Sequence, residues 1–286
     1  VNRLETVALD ALLADTGDHT PGFADPRFDH YCDRAHRLTA PRSTLQRVLR
    51  WAKDTLESTV VRTSVHGDPM VYDARHFDWV PQVEADWRMV RAELDAIMAY
   101  RDAMPSFQDI LKEVDLIQSD NDWKTFFLAG IGMDCSGNAA RCPETMRLLR
   151  RIPNMTTAFF SILSPGKHIP PHRGAYNGLL RMHLALQVPE PREKVRIRIG
   201  NRICHWQEGR ALIFDDTFNH EVWNDTDGYR VVLFVDFARP LKQPWQWLNL
   251  RFLGIGALAP FLREAGRKQR QWERGFWASR RLKSER

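Results

Sequence analysis

The feature that most constrains this chain is a change of hydrophobic period near Thr156, from the spacing of helices to the alternation of strands. In residues 179–186, Arg181 and His183 fall on one face and Leu180, Met182 and Leu184 on the other. Residues 195–199 and 202–206 flank Gly200-Asn201, a two-residue hairpin signal. Residues 211–214 form another strand, and after an Asp227-Gly228 turn Arg230 opens the strand 231–235. Upstream, Leu45, Val48, Leu49, Ala52 and Leu56 share one face of a helix beginning after Pro41. A second helix carries Val83, Trp87, Val90, Leu94, Ile97 and Met98; a third, after Pro105, carries Phe107, Ile110, Leu111 and Val114. Residues 143–151 form a helix with proline in its first turn. Residues 1–38 are polar and interrupted by Gly17, Pro21, Gly22 and Pro26, which predicts irregular chain. Helices followed by strands predict an α+β architecture.

The β-rich half also holds the chemistry. His172 and His220 are two histidines able to hold a metal, and they share the segment 161–236 with two well-placed arginines. In an extended chain residues i and i+2 point the same way, so positions 172 and 174 face one centre; position 174 is glycine rather than a carboxylate. Arg181 and His183 face a sheet interior together. Burying an arginine without a partner is costly, so a bound anion accounts for it. Arg230 offers the planar fork that fits a carboxylate. Together these residues read as a redox metal site with an anchor for an acidic co-substrate. Taken singly each has an ordinary role: a structural histidine, strand arginines in surface ion pairs, a bend at Gly174, and turn formers among Asp215 and Asp216.

Composition fits an enzyme with a sizeable core, since 43% of the 286 residues are hydrophobic. Cys32, Cys135, Cys142 and Cys204 show no paired metal-binding spacing and read as reduced thiols. Residues 1–5 lack the apolar core of a signal peptide, and no run is long enough for a transmembrane helix, so a cytoplasmic protein is expected. The net charge of +5 is local. Residues 263–286 contain nine Lys or Arg against three Asp or Glu, and just upstream lies an apolar stretch with Trp245, Trp247, Leu248, Leu250, Phe252, Leu253, Ile255, Leu258 and Phe261. This pairing suits peripheral membrane contact through the C-terminal tail; packing of the apolar part on the core, with a solvated basic face, is the alternative. No specific nucleic-acid motif accompanies the basic residues.

From about Asp122 to Leu241 the chain resembles the aspartyl/asparaginyl β-hydroxylase family of iron(II) and 2-oxoglutarate dependent oxygenases, and is similar to the bacterial lipid A acyl-chain hydroxylases of that superfamily. The resemblance rests on ordered elements: Ser161 in a Phe-Phe-Ser strand, Ser164-Pro165-Gly166, Pro171-His172-Arg173-Gly174, Arg181-Met182-His183-Leu184, Trp206-Gln207-Glu208-Gly209, Phe214-Asp215-Asp216, His220-Glu221-Val222-Trp223-Asn224 and Arg230. It implies a double-stranded β-helix, a cupin-like jelly roll, within flanking helices. It implies that His172 and His220 bind Fe(2+), with Gly174 where most of the superfamily has an acid and water in the vacant position. It implies that Arg230 grips the distal carboxylate of 2-oxoglutarate, that Ser161, Arg181 and His183 surround its other end, and that Asp216 orients a ligand or metal-bound water. The glycine favours hydroxylation, with O2 as co-substrate, of the β-carbon of an aspartyl or asparaginyl residue or a related amino acid. A lipid acyl chain is the alternative substrate, and a non-catalytic cupin-like binding module the alternative class. The expected organisation is an N-terminal helical region, 1–115, a core oxygenase domain, 116–242, and an amphipathic, basic helical tail, 243–286.

Overall fold

From Trp123 onward the alternating residues build two antiparallel sheets whose inner faces meet. The structure is a computed structural model that describes residues 22–33, 43–111, 120–256 and 260–284. Its strands are β1 (Phe23–Ala24), β2 (Val71–Tyr72), β3 (Trp123–Ala129), β4 (Met155–Leu163), β5 (His168–His172), β6 (Leu179–Gln187), β7 (Val195–Ile199), β8 (Arg202–His205), β9 (Ala211–Phe214), β10 (His220–Asn224) and β11 (Arg230–Ala238). The smaller sheet runs β1-β8-β7-β10-β5 and the larger β2-β9-β6-β11-β4-β3. This is the α+β jelly-roll arrangement expected.

Between the sheets, Ala185, Leu212, Phe214, Val232 and Phe234 of the larger meet Val195, Ile197, Ile199, Cys204 and Val222 of the smaller. The opposite face of the larger sheet is also buried. There Met182, Leu184, Leu233 and Val235 pack with Val83, Val90, Leu94, Ile97, Leu148 and Leu149. Burial of both faces explains why β11 reads as a nearly continuous apolar run. It also makes every inward-facing polar side chain on β6 and β11 a departure from the packing rule, and Arg181, His183 and Arg230 are such side chains.

The helices are α1 (Thr44–Thr63), α2 (Val80–Ala85), α3 (Trp87–Met98), α4 (Phe107–Ile110), α5 (Ser136–Ala139), α6 (Pro143–Leu149), α7 (Trp245–Gly256) and α8 (Pro260–Ser284). The single helix expected over Val83–Met98 is two, broken at Asp86, whose φ of −91° and ψ of 4° leave the helical region. Its carboxylate accepts from Arg151 Nη1 at 2.6 Å, which ties the break to the end of α6. Helix α1 forms as expected; on its predicted apolar face Val48 and Ala52 are exposed and Leu56 is half-buried, and Val60, near its C-terminal end, is buried. The third helix is a single turn closed by a capping box between Ser106 and Asp109, and Val114 lies outside the described residues.

The irregular chain expected over 1–38 falls largely outside the described residues, yet residues 23–31 form β1 and a 3-10 turn, and β1 and β2 extend one sheet each. At the other end α8 buries Ala265, Gln269, Glu273 and Phe276. Glu273 accepts from Asn138 N at 2.7 Å, and Trp272 Nε1 donates to Ala103 O at 3.2 Å. All four cysteines are free, and no helix among the described residues is long and apolar enough to cross a membrane.

Because Leu94 is fully buried where α3 meets the larger sheet, Leu94→Ala is expected to cost about 2–5 kcal/mol in chemical denaturation. Val48→Ala, on the exposed part of α1, is expected to stay within about 0.5 kcal/mol of the parent.

Candidate active site

Strand pairing brings the two histidines together. His220 on β10 lies directly across from His172 on β5, the ring centroids 4.1 Å apart. His172 Nδ1 lies 2.8 Å from the Pro170 carbonyl oxygen and His220 Nδ1 3.0 Å from that of Phe218. A carbonyl only accepts, so each Nδ1 carries the proton and each Nε2 keeps its lone pair. Burial pushes His172 down to about 4 and His220 well below the ordinary histidine range. Both rings are therefore neutral, the form a metal ion binds. Among the described residues no cluster of three His, Cys, Asp or Glu side chains forms a metal cage. Among the described residues, the candidate donors brought face to face here are these two imidazoles.

The volume that a side chain at position 174 would occupy is taken by another residue. A Cβ at Gly174 would lie 2.2 Å from Asp216 Oδ2, so the Asp216 carboxylate fills the volume a side chain there would occupy. Gly174 N–H also donates to Asp216 O at 2.7 Å. Asp216 Oδ2 is 2.8 Å from Arg181 Nη2, and Arg181 holds Asp236 as well, through Nε to Oδ1 at 2.9 Å and Nη2 to Oδ2 at 3.1 Å. The sequence reading gave Arg181 an anion because no partner was visible; in the fold two carboxylates bracket it, and its guanidinium also lies 4.2 Å from the Phe234 ring. Burial raises the Asp216 carboxyl to about 7 against the pull of Arg181. Asp215, by contrast, is a turn former: it accepts from Thr217 N and Oγ1 and pairs with the fully buried Arg239 at 2.9 Å.

Arg230 has no such answer. It is 1% exposed, its only hydrogen bond among the described residues is a long one from Nη1 to Ser161 Oγ at 3.5 Å, and its Nε has no partner. Desolvation alone pushes it down to about 9. Around it are further unanswered polar atoms: both ring nitrogens of His183, Trp206 Nε1 and Thr125 Oγ1. The guanidinium stacks 4.7 Å from the Trp206 ring, which faces His183 at 5.9 Å, while Thr125 is the strand neighbour of Ser161. Buried donors seldom stay unsatisfied. This constellation suits a small dicarboxylate: a cationic fork, hydroxyls and an indole N–H aimed at one region.

Sequence reasoning placed Trp206 in a motif without a role and missed Thr125 and Arg198. Arg198 is fully buried; it donates from Nε to Glu221 Oε1 at 2.6 Å and from Nη2 to Asn219 Oδ1 at 2.5 Å, holding the residues on both sides of His220. Glu221 also meets His168 Nε2 at 3.2 Å. The available signal was an arginine within the apolar alternation of 195–199.

Residues 84–240 match the family described as Aspartyl/Asparaginyl beta-hydroxylase. The ornithine lipid ester-linked acyl 2-hydroxylase of Rhizobium tropici is 46% identical over 231 residues, 81% of this chain and 81% of that protein. The aspartyl/asparaginyl beta-hydroxylase of Homo sapiens is 35% identical over 176 residues, 60% of this chain but only 22% of the human protein. A solved prolyl-4-hydroxylase of Pseudomonas putida aligns over 54% of this chain and 88% of its own, with 17% identity and a TM-score of 0.37.

Two outcomes test this geometry. In Gly174→Ala the new methyl must displace the Asp216 carboxylate from Arg181, so stability should fall by about 1–3 kcal/mol in denaturant titrations and metal retention should weaken. The second concerns pH. His172 has a folded pKa of about 4, below its unfolded value of about 6.5. Its contribution to metal-free stability is therefore complete above the unfolded value and is lost as pH falls toward the folded one. Thermal melts of metal-free wild type and His172→Gln should converge across that window as acid is added; a constant difference would contradict a neutral, buried His172.

Proposed function

The chain belongs to the aspartyl/asparaginyl β-hydroxylase family, and from that premise we propose that it is an iron(II)- and 2-oxoglutarate-dependent oxygenase that hydroxylates the acyl chain of a membrane lipid. The observation that carries the co-substrate assignment is Arg230, buried without a carboxylate partner among the described residues and surrounded by unsatisfied donors. Iron(II) when bound supplies the activation of O2, with 2-oxoglutarate leaving as succinate and CO2 while one oxygen atom enters a C–H bond.

The residues then divide the work. Nε2 of His172 and of His220 hold the metal, their orientation set by the Pro170 and Phe218 carbonyls. Arg230, with Ser161, takes the distal carboxylate, and Trp206 and Thr125 offer further donors beside it. His183 turns an unpartnered neutral ring toward the same space. Arg181 keeps Asp216 against Gly174 and holds Asp236 as well. Asp216 accepts a hydrogen bond from whatever fills the position that an acid at 174 would have taken.

For the substrate, a relative named for acyl 2-hydroxylation of an ornithine lipid that matches four-fifths of both chains outweighs the single glycine at 174. The β-carbon of an aspartyl or asparaginyl residue is the second reading, supported by the family description and by the partial human match. Mass spectrometry of lipids and peptides from cells with and without the gene should find one added oxygen atom in lipid acyl chains; the same addition confined to peptides would reverse the order of the two readings.

His172→Ala and His220→Ala should each lose bound iron and succinate production with the fold retained. Arg230→Ala should instead keep iron and raise the KM for 2-oxoglutarate by about 30-fold or more, the usual consequence of removing one partner of a buried charge pair. An unchanged KM would make Arg230 structural.

A further inference from the structure

Helix α7 is built unlike the rest of the surface. Trp245, Trp247, Leu248, Phe252 and Ile255 on it are between 39% and 66% exposed, and it contains no acidic residue. Its single charge, Arg251, lies over the Trp247 ring at 5.1 Å. The helix is nevertheless anchored. Asn249 is 1% exposed, donating through Nδ2 to Gly178 O at 2.9 Å and accepting from Tyr176 Oη at 2.9 Å, while the Tyr176 ring packs 4.9 Å from Phe252. Tyr176 lies four residues beyond His172. Thus α7 is fastened to the loop that leaves the first candidate metal ligand. The same loop is tied to α1 by Asn177 Nδ2 donating to Glu57 O at 3.0 Å, and α1 exposes Val48 and Trp51.

Helix α8, next along the chain, sorts its residues by face. Ala265, Gln269, Glu273 and Phe276 are buried, whereas Arg263, Arg267, Arg270 and Arg274 are exposed at helical spacing on one side. An uncovered tryptophan-bearing helix followed by an arginine stripe matches the two layers of a bilayer interface, acyl boundary and anionic headgroups. A nucleic acid would use the arginines and leave the apolar helix unexplained. A second protein molecule would cover the aromatics without requiring the stripe.

We propose that α7 and the arginine face of α8 seat this protein on an anionic phospholipid surface, with α7 at the lip of the histidine site so that a lipid acyl chain reaches it without crossing water. The purpose of the surface rests on the lipid-hydroxylase reading; the binding itself does not.

The test is co-sedimentation of the full chain with vesicles of phosphatidylglycerol and phosphatidylcholine, and with phosphatidylcholine alone, at low and high salt. Binding should require the anionic lipid and weaken with salt. Replacing Arg263, Arg267, Arg270 and Arg274 by Gln should lower the partition constant by roughly fivefold per residue. Trp247→Ser with Ile255→Ser should lower it by about tenfold or more. Circular dichroism checks the fold of each variant, and should the apolar pair unfold, the arginine set alone decides. Turnover of a monomeric short-chain lipid analogue should be unchanged in the arginine variant. Absence of vesicle binding at low salt, equal binding by the arginine variant, a nucleic acid duplex displacing the vesicles, or a stable dimer that binds no vesicles would each overturn the surface. Vesicle binding with the expected variant losses but no lipid hydroxylation would leave the surface standing and remove the substrate reading, so the two failures are separable.

Discussion

An arginine held between two apolar sheet faces must be answered by negative charge, and this constraint organises the interior. Arg239 is answered by Asp215 and Asp68, and Arg181 by Asp216 and Asp236. Arg230 is left with one hydroxyl at long range. Its neighbours repeat the pattern, since His183, Trp206 and Thr125 also carry polar atoms with no partner. Leaving several such groups unsatisfied in one place would be a large penalty for a structural feature. On the proposed reading, a dicarboxylate removes that penalty while bound.

The charge network also places a carboxylate in the volume that a side chain at position 174 would occupy. The carboxylate comes from Asp216, near the start of the β9–β10 connection, and reaches the space beside Gly174 under the hold of Arg181. His172 and His220 meet because β5 and β10 are antiparallel neighbours, and Arg198 steadies the second of them through Asn219 and Glu221. The geometry around the two histidines is thus set by backbone pairing and by one buried guanidinium.

Much of this was legible in the sequence for definite reasons. Period-two alternation located β6, β7 and β8, from which the inward direction of Arg181 and His183 followed, and apolar runs beside turn signals located β9 and β11. What alternation could not reveal was pairing across distance. Asp236 as a partner of Arg181 depends on β11 lying beside β6, and the isolation of Arg230 depends on the absence of a carboxylate opposite it. The break at Asp86 was hidden because the apolar spacing of Val83, Val90 and Leu94 continues through it, while Arg151, which holds the Asp86 carboxylate, is distant in sequence. The exposed start of α1 shows the converse: apolar periodicity identifies a helix and one of its faces, but not what that face meets. On α7 that same uncertainty becomes informative, because exposed aromatics next to an arginine stripe specify a kind of environment.

The central claim is that Arg230 recognises the distal carboxylate of a 2-oxo dicarboxylic acid. Calorimetric titration of the iron(II)-loaded protein without O2, comparing 2-oxoglutarate with 2-oxobutyrate, tests it directly because the second acid lacks that carboxylate. The account predicts affinity for 2-oxoglutarate higher by about 30-fold or more, and a difference that collapses in Arg230→Ala. Equal affinity for the two acids in the wild-type protein would contradict it.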